Sequence, residues 1–421
     1  MAYDVAEAVG NVLASGIDPQ EYAHHDTLGE DLVRSPYPFL DEVRRRRGAV
    51  FELPDGMMDG VDIGGLARVN KDYPCFAALS YDAVSAVFLG GAKVFGQGLD
   101  QSYLIAWGET PVTVDPPLHT PLRELTNKAL NRLQIQRLER DVIRPAAKLL
   151  TDNLLREGGG NLVTAYTGLL PFLVITNLLG VNPGDFRWIM NRTRTMMALG
   201  VDWEAGHQAA LDLRAYLEAV YEDRLARPGD DLISDLIAAE LDGQRLSKEQ
   251  VLAFCRILLP AGIETTTKQF GILLTALLTQ PDQMALVRED PSRIPAAVEE
   301  ATRWEAPIVF APKRVREDTV LEGVALPAGA YVVGFHGYAN HDLDRWERPH
   351  AFDLTRPRKG TVAFGGGPHF CPGSQLARTE MGVGLAALLE ACPNLRLASG
   401  HSEPRVMGFQ ARAVSRIMVE V

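Results

Sequence analysis

Apolar residues recur at helical spacing through most of residues 115–305. Shorter β-type runs with turn signals cluster near 49–80 and again from 306 to the C-terminus. No internal repeat, low-complexity tract or Ser/Gly linker divides this pattern. It predicts one mainly α domain over 1–421, a large helical body with a smaller β-rich part, after a short N-terminal extension of about residues 1–30.

The clearest helix begins at Ser247. Ser247-Lys248-Glu249-Gln250 has the form of a capping box, and Leu246 and Val251 occupy the hydrophobic-staple positions. The pattern carries the helix to Gln280, where Pro281 ends it. Pro260 and Gly262 fall near its middle. Proline there removes a backbone donor and crowds the preceding turn, so a kink or local opening is expected. Asp55-Gly56-Met57-Met58-Asp59-Gly60-Val61-Asp62-Ile63-Gly64-Gly65 reads as a hairpin or exposed loop between strands. Further on, an extended run at Thr361-Val362-Ala363-Phe364 leads through a glycine-rich turn into a helix from Ser374.

Composition narrows the function. With 421 residues, 46% hydrophobic and 23% charged, the chain can bury a large core and is not disordered. A net charge of −12 argues against non-specific binding to nucleic acid or to an anionic membrane. The one basic run, Arg44 to Arg47, reads as the solvated end of an amphipathic helix. The N-terminal Met1-Ala2-Tyr3-Asp4-Val5-Ala6-Glu7 is acidic and resembles neither a signal peptide nor an anchor. No run approaches the roughly 18 apolar residues of a membrane span, and Arg256, Glu264 and Lys268 charge the long helix. A cytoplasmic protein is expected. The four cysteines, Cys75, Cys255, Cys371 and Cys392, lie far apart without C-x-x-C pairing, as befits reduced thiols and not a structural zinc site.

One cysteine has a reactive setting. Cys371 falls just before the N-terminus of the helix from Ser374, where free N–H groups and the positive dipole end favour a thiolate. Gly365, Gly366 and Gly367 allow close backbone approach to something flat and bulky. A lone buried cysteine near such a turn is usually inert. What changes the reading is the string Phe364-Gly365-Gly366-Gly367-Pro368-His369-Phe370-Cys371-Pro372-Gly373. It resembles the haem-binding signature of the cytochrome P450 superfamily, Phe-x-x-Gly-x-x-x-Cys-x-Gly, at every fixed position.

That resemblance implies a haem b cofactor with Cys371 as iron ligand and with Phe364, Gly365 and Gly373 shaping the loop. It also implies roles for residues that mean little alone. Glu300 and Arg303 match the family's Glu-x-x-Arg, and Arg356 matches the arginine completing its buried structural triad. Ala261-Gly262-Ile263-Glu264-Thr265 resembles the oxygen-binding segment, with Ala261 beside the haem and Glu264 and Thr265 as a proton relay. His119 and Arg123 match a pair that holds haem propionates, and His369 resembles a third donor. Where many relatives carry a further propionate-binding arginine, counting back from Gly323 lands on Lys313, next to Arg314. That contact stays open between the two.

The resemblance covers roughly residues 30–421, helped by Pro36-Tyr37-Pro38 and Ala339-Asn340-His341-Asp342. It is to the soluble bacterial type, which takes electrons ultimately from NAD(P)H through a ferredoxin or flavodoxin and its reductase. No flavin- or NAD-binding glycine fingerprint occurs in the chain. The implied reaction is monooxygenation: dioxygen is activated to hydroxylate or O-dealkylate a small to medium apolar organic substrate. Substrate contacts are expected from Phe95 to Trp107, from the kinked helix, from Pro307 to Pro312 including Val309 and Phe310, and from Met407-Gly408-Phe409. Parts of the last third are similar to relatives that demethylate small methoxylated aromatics. A peroxide-driven or isomerising haem-thiolate enzyme would need no Glu264–Thr265 pair, and a haem-binding sensor would bind ligands without turnover.

Overall fold

The computed structural model describes residues 3–15, 30–62, 73–99, 101–200, 202–241 and 244–421. Its axis is a helix over Lys248–Thr279, 32 residues long. The capping box forms: Gln250 N–H donates to the Ser247 hydroxyl at 3.2 Å and Ser247 N–H to the Gln250 side chain at 3.0 Å. Phe270, Ile272, Leu273 and Leu274 are fully buried on it, so it is hydrophobic on most sides because helices surround it. At Pro281 the chain bends by 102° into the helix Pro281–Glu289. No single helix among the described residues is long and apolar enough to cross a membrane.

The expected opening at Pro260 is not seen. The helical assignment runs unbroken from Lys248 to Thr279. Gly262 has a packing reason instead: a Cβ there would meet Ile175 Cδ1 at 2.3 Å, so the helix Leu170–Leu179 can cross only over a glycine. The buried Pro260 and the close Ile175–Gly262 contact hold this stretch in the core as a continuous helix.

Strands from both β-type regions join in one five-stranded sheet, in the order Val50–Glu52, Cys75–Ala78, Tyr331–Gly334, Ala311–Val315, Phe95–Gln97. Only Cys75–Ala78 and Tyr331–Gly334 run parallel. One face packs on Tyr37, Phe310, Phe335 and Phe409, the other on Phe76, Phe88 and Val332. The expected hairpin pairs Met57–Met58 with Val61–Asp62, while Ile63, Gly64 and Gly65 lie outside the described residues.

The start of the chain is more integrated than an extension. Val5–Ser15 is a helix that buries Ala8, Val9 and Val12 in the main helical core, and Tyr3 Oη donates to the Leu173 carbonyl at 3.0 Å. The basic run ends the helix Tyr37–Arg47 and is paired with acids: Arg44 with Asp342 at 2.7 Å, Arg45 with Glu42, and Arg46 with Asp59.

Candidate active site

The Cys371 loop is shaped by what it lies against. Gly365 and Gly367 have φ of +69° and +61°, which favour glycine, and a Cβ on Gly367 would sit 2.5 Å from the Phe88 carbonyl oxygen. Cys371 N–H closes the loop onto the Phe364 carbonyl at 3.0 Å. The expected extended segment at Thr361–Phe364 forms no strand: Ala363 and Phe364 are in a turn closed by Gly365 N–H on the Val362 carbonyl, and the glycines that follow lie against Phe88 and Leu89.

The helix Ser374–Ala391 begins three residues after Cys371. Burial pushes the Cys371 thiol upward; the Gly373 and Ser374 N–H groups and the charges of Arg123 and Arg378 pull the other way without overcoming it. The helix terminus alone therefore does not make a free thiolate. The sulfur is that of a half-buried, donor-flanked thiol, one that a metal cation would ionise.

Cys371, Phe364 and Gly365 line a cavity of about 330 Å³ whose opposite wall is the central helix at Thr265, Thr266 and Gln269. The remaining walls are largely apolar. Of the basic residues expected at the cofactor, Lys313 and His369 line this cavity; His119 and Arg123 lie outside its lining, His119 with its ring 4.7 Å from that of His369. His119 is 3% exposed with Nε2 unpartnered, and its imidazole is held down at about 4 by burial, then by His369 and Arg123. Lys313 is 7% exposed, and burial pushes its ammonium down to about 8 against the pull of Asp115. Arg123 is half-buried and faces the charge of Cys371. A thiol, apolar walls, the buried Lys313 on the lining and the basic His119 and Arg123 nearby fit haem, a flat apolar ligand bearing two carboxylates around an iron.

Their contacts separate the two candidates at the edge of the sheet. In Ala311–Val315, Lys313 faces the cavity, whereas Arg314 faces away, donating to Tyr331 Oη at 2.6 Å and stacking on Tyr73. Arg314 is thus corrected out of the cofactor site.

His369 is also differently engaged. Nδ1 meets the Pro111 carbonyl at 3.0 Å and Nε2 the Asp115 carboxylate at 2.9 Å, so neither nitrogen is left for a propionate. Asp115 also accepts from Gln97 N–H at 2.6 Å and Arg316 at 2.6 Å. Sequence reasoning missed it as a site residue, since only its place four residues before His119 marks it. Burial raises its carboxyl, but His369, Gln97 N–H and Arg316 outweigh that and hold it at about 2. The folded-state value lies below the unfolded one, so this stabilisation is complete above the unfolded value of about 3.9 and is lost as pH falls through the folded value. The urea midpoint should fall between about pH 5 and pH 2, and Asp115→Asn should flatten that dependence. Parallel pH profiles of parent and variant would refute the assignment.

The triad comes together. Glu300 accepts from Arg303 Nε and Nη2, both at 2.8 Å, from Arg356 Nε at 3.1 Å and from Asp353 N–H at 3.0 Å. Arg303 also donates to the carbonyls of Asn340, Pro349 and Ala351.

On the central helix, Thr265 lines the cavity and its hydroxyl donates to the Ala261 carbonyl at 2.8 Å. Glu264 is buried and turned toward Lys268 Nζ at 2.9 Å and Arg194 Nε at 3.6 Å. Burial raises its carboxyl, but Lys268 and then Arg194 hold it below the usual range.

The expected pocket residues Val309, Phe310 and Phe409 do not line the cavity. They are buried in the sheet-side core, where Phe310 meets Phe335 at 4.9 Å and Phe409 at 5.9 Å between ring centroids. Their neighbours Pro307, Ile308, Ala311 and Pro312 take the wall, with Leu99 and Val112. Val309 N–H is bonded to the Gln410 carbonyl, and the Val309 and Phe310 side chains sit in the core while Ile308 lines the cavity.

A family model described as Cytochrome P450 matches residues 188–408. The chain is 38% identical over 306 residues to cytochrome P450 107B1 of Saccharopolyspora erythraea, covering 71% of this chain and 73% of that one. It is also 38% identical to the vitamin D(3) 25-hydroxylase of Pseudonocardia autotrophica, over 69% and 72% of the two chains. The crystal structure of CYP109E1 from Bacillus megaterium with testosterone superposes with a TM-score of 0.82 at 25% identity, covering 93% of this chain and 99% of that one.

Proposed function

Because this chain belongs to the cytochrome P450 superfamily and is a haem-thiolate monooxygenase, we propose that it hydroxylates or O-dealkylates an apolar organic substrate held against Thr265. The carrying observation is the single cavity bounded by Cys371, by Thr265 and by the apolar Leu99, Val112, Pro307 and Ile308. Cys371 is the iron ligand, and His119, Arg123 and Lys313 hold the carboxylates of haem b. When bound, haem supplies the redox chemistry that reduces dioxygen and inserts one oxygen atom into the substrate.

The chain's own residues do the rest. The apolar wall excludes water and orients the substrate's C–H bond. Thr265 holds a proton at Oγ, now shared with the Ala261 carbonyl, and turns to donate it into the cavity. Glu264, kept ionised by Lys268 and Arg194, takes up protons from the outer side of the helix when those contacts open. Electrons come from NAD(P)H through an external ferredoxin or flavodoxin and its reductase.

The relatives favour a medium-sized apolar substrate over a small methoxylated aromatic: one is named for vitamin D(3) and another was crystallised with testosterone. The substrate test is a screen for the low-spin to high-spin shift of the haem-loaded protein on adding an apolar ligand, with turnover scored using ferredoxin, its reductase and NADH. A library of such compounds giving shifts but no product would favour a sensor. Thr265→Ala should keep consuming NADH while product per NADH falls about tenfold or more and peroxide appears. Unchanged coupling would remove Thr265 from the mechanism.

A further inference from the structure

His336 opens the short helix His336–Ala339, directly after the strand Tyr331–Gly334. It lines the cavity with 5% of its surface exposed, and its Nδ1 is buried without a hydrogen-bond partner. The ring stands edge-on to Phe88 at 5.5 Å and 85°, while Lys313 Nζ lies 5.7 Å from the centroid of the same Phe88 ring. All three residues line the one cavity. The sheet register brings them together, since Val332 and Gly334 on the strand before His336 pair with Lys313 and Ala311.

Neither basic side chain has a carboxylate partner among the described residues. The acid that acts on Lys313, Asp115, is already shared by His369, Arg316 and Gln97 N–H. A buried ammonium and a buried imidazole beside one aromatic ring, with no carboxylate on either and Nδ1 of the imidazole unpartnered, are costly unless a ligand supplies an acceptor. Lysine brings a single point charge, which cannot grip a carboxylate through two parallel bonds as a guanidinium does, so a second donor on the same wall completes the grip.

We propose that His336 acts with Lys313 to hold a carboxylate carried into the cavity by a ligand. The inference rests on the haem reading above. Two ligands carry this chemistry: haem, through a propionate, and a substrate with an acid group. Without an anion, burial holds the His336 imidazole down at about 4, against the Gly334 and Ile308 carbonyls. A carboxylate at the ring favours the protonated form.

The test compares the holoenzyme with His336→Phe, which fills the space, and His336→Gln, which keeps an N–H donor. Haem loss to excess apomyoglobin is timed, and spin-shift titrations are run with lauric acid and methyl laurate. If the carboxylate is a propionate, His336→Phe should lose haem roughly tenfold faster, His336→Gln should recover most of that, and acid and ester should change alike. If it belongs to the substrate, haem loss stays unchanged and only lauric acid should weaken, again roughly tenfold. Should His336→Phe not fold, Lys313→Met beside His336→Gln makes the same comparison. Unchanged haem loss with no difference between acid and ester overturns the proposal. A parent protein without the thiolate-type CO spectrum would instead overturn the haem reading beneath it.

Discussion

Cys371→Ala should abolish the thiolate-type Soret band of the reduced, CO-treated protein, and all monooxygenation with it. No other thiol can substitute. Cys75 and Cys255 are buried, with burial pushing both thiols up, and neither they nor Cys392 line the cavity. The loss should be one of ligation and not of fold. The loop is held by backbone groups, Gly365 N–H on the Val362 carbonyl and Cys371 N–H on the Phe364 carbonyl, and alanine keeps both. Far-ultraviolet circular dichroism should therefore match the parent. Cys371→His sharpens the comparison, since an imidazole can hold iron and retain haem while lacking the sulfur's electron donation. A Cys371→Ala protein that keeps the thiolate band would refute the assignment outright.

What could be read in the sequence divides by the distance over which each feature is decided. The capping box at Ser247 and Gln250 is local, and it forms as written. Glu300 and Arg303 meet because three residues on a helix share a face, which needs no knowledge of the rest. Pro260 misled because a local rule about proline competes with packing: Ile175 pressing on Gly262 keeps the helix closed. Lys313 and Arg314 could not be separated until their distant contacts were known: Lys313 lines the cavity, while Arg314 is taken by Tyr331 and Tyr73. Val309, Phe310 and Phe409 are the size and chemistry of pocket residues, yet all three sit in the sheet-side core while Ile308 lines the cavity. Asp115 is marked only by its place four residues before His119, and nothing local marks His336. Their partners lie some 200 residues away or more, as Arg316 and His369 do for Asp115 and Phe88 does for His336.

The second large effect should come from Arg303, whose side chain is 2% exposed. It is bonded twice to Glu300 and once each to the Asn340, Pro349 and Ala351 carbonyls. Arg303→Ala removes all these donors at once and leaves the Asn340 and Pro349 carbonyls and part of a buried carboxylate unmet, while the Ala351 carbonyl keeps Arg356. Breaking a buried ion pair from one side typically costs about 3–5 kcal/mol. Glu300→Gln should cost less, because the amide still accepts from Asp353 N–H and from one guanidinium. The damage should also reach the iron site. Asn340 links the two regions: its carbonyl takes Arg303, its Oδ1 takes Val362 N–H at 3.1 Å, and the Val362 carbonyl takes Gly365 N–H. Loosening Arg303 therefore loosens the start of the Cys371 loop. In holoenzyme titrated with urea, Arg303→Ala should lower the unfolding midpoint and release haem before the helices melt, so the Soret and circular-dichroism transitions separate. Coincident transitions at an unchanged midpoint would show that the triad braces neither the fold nor the loop.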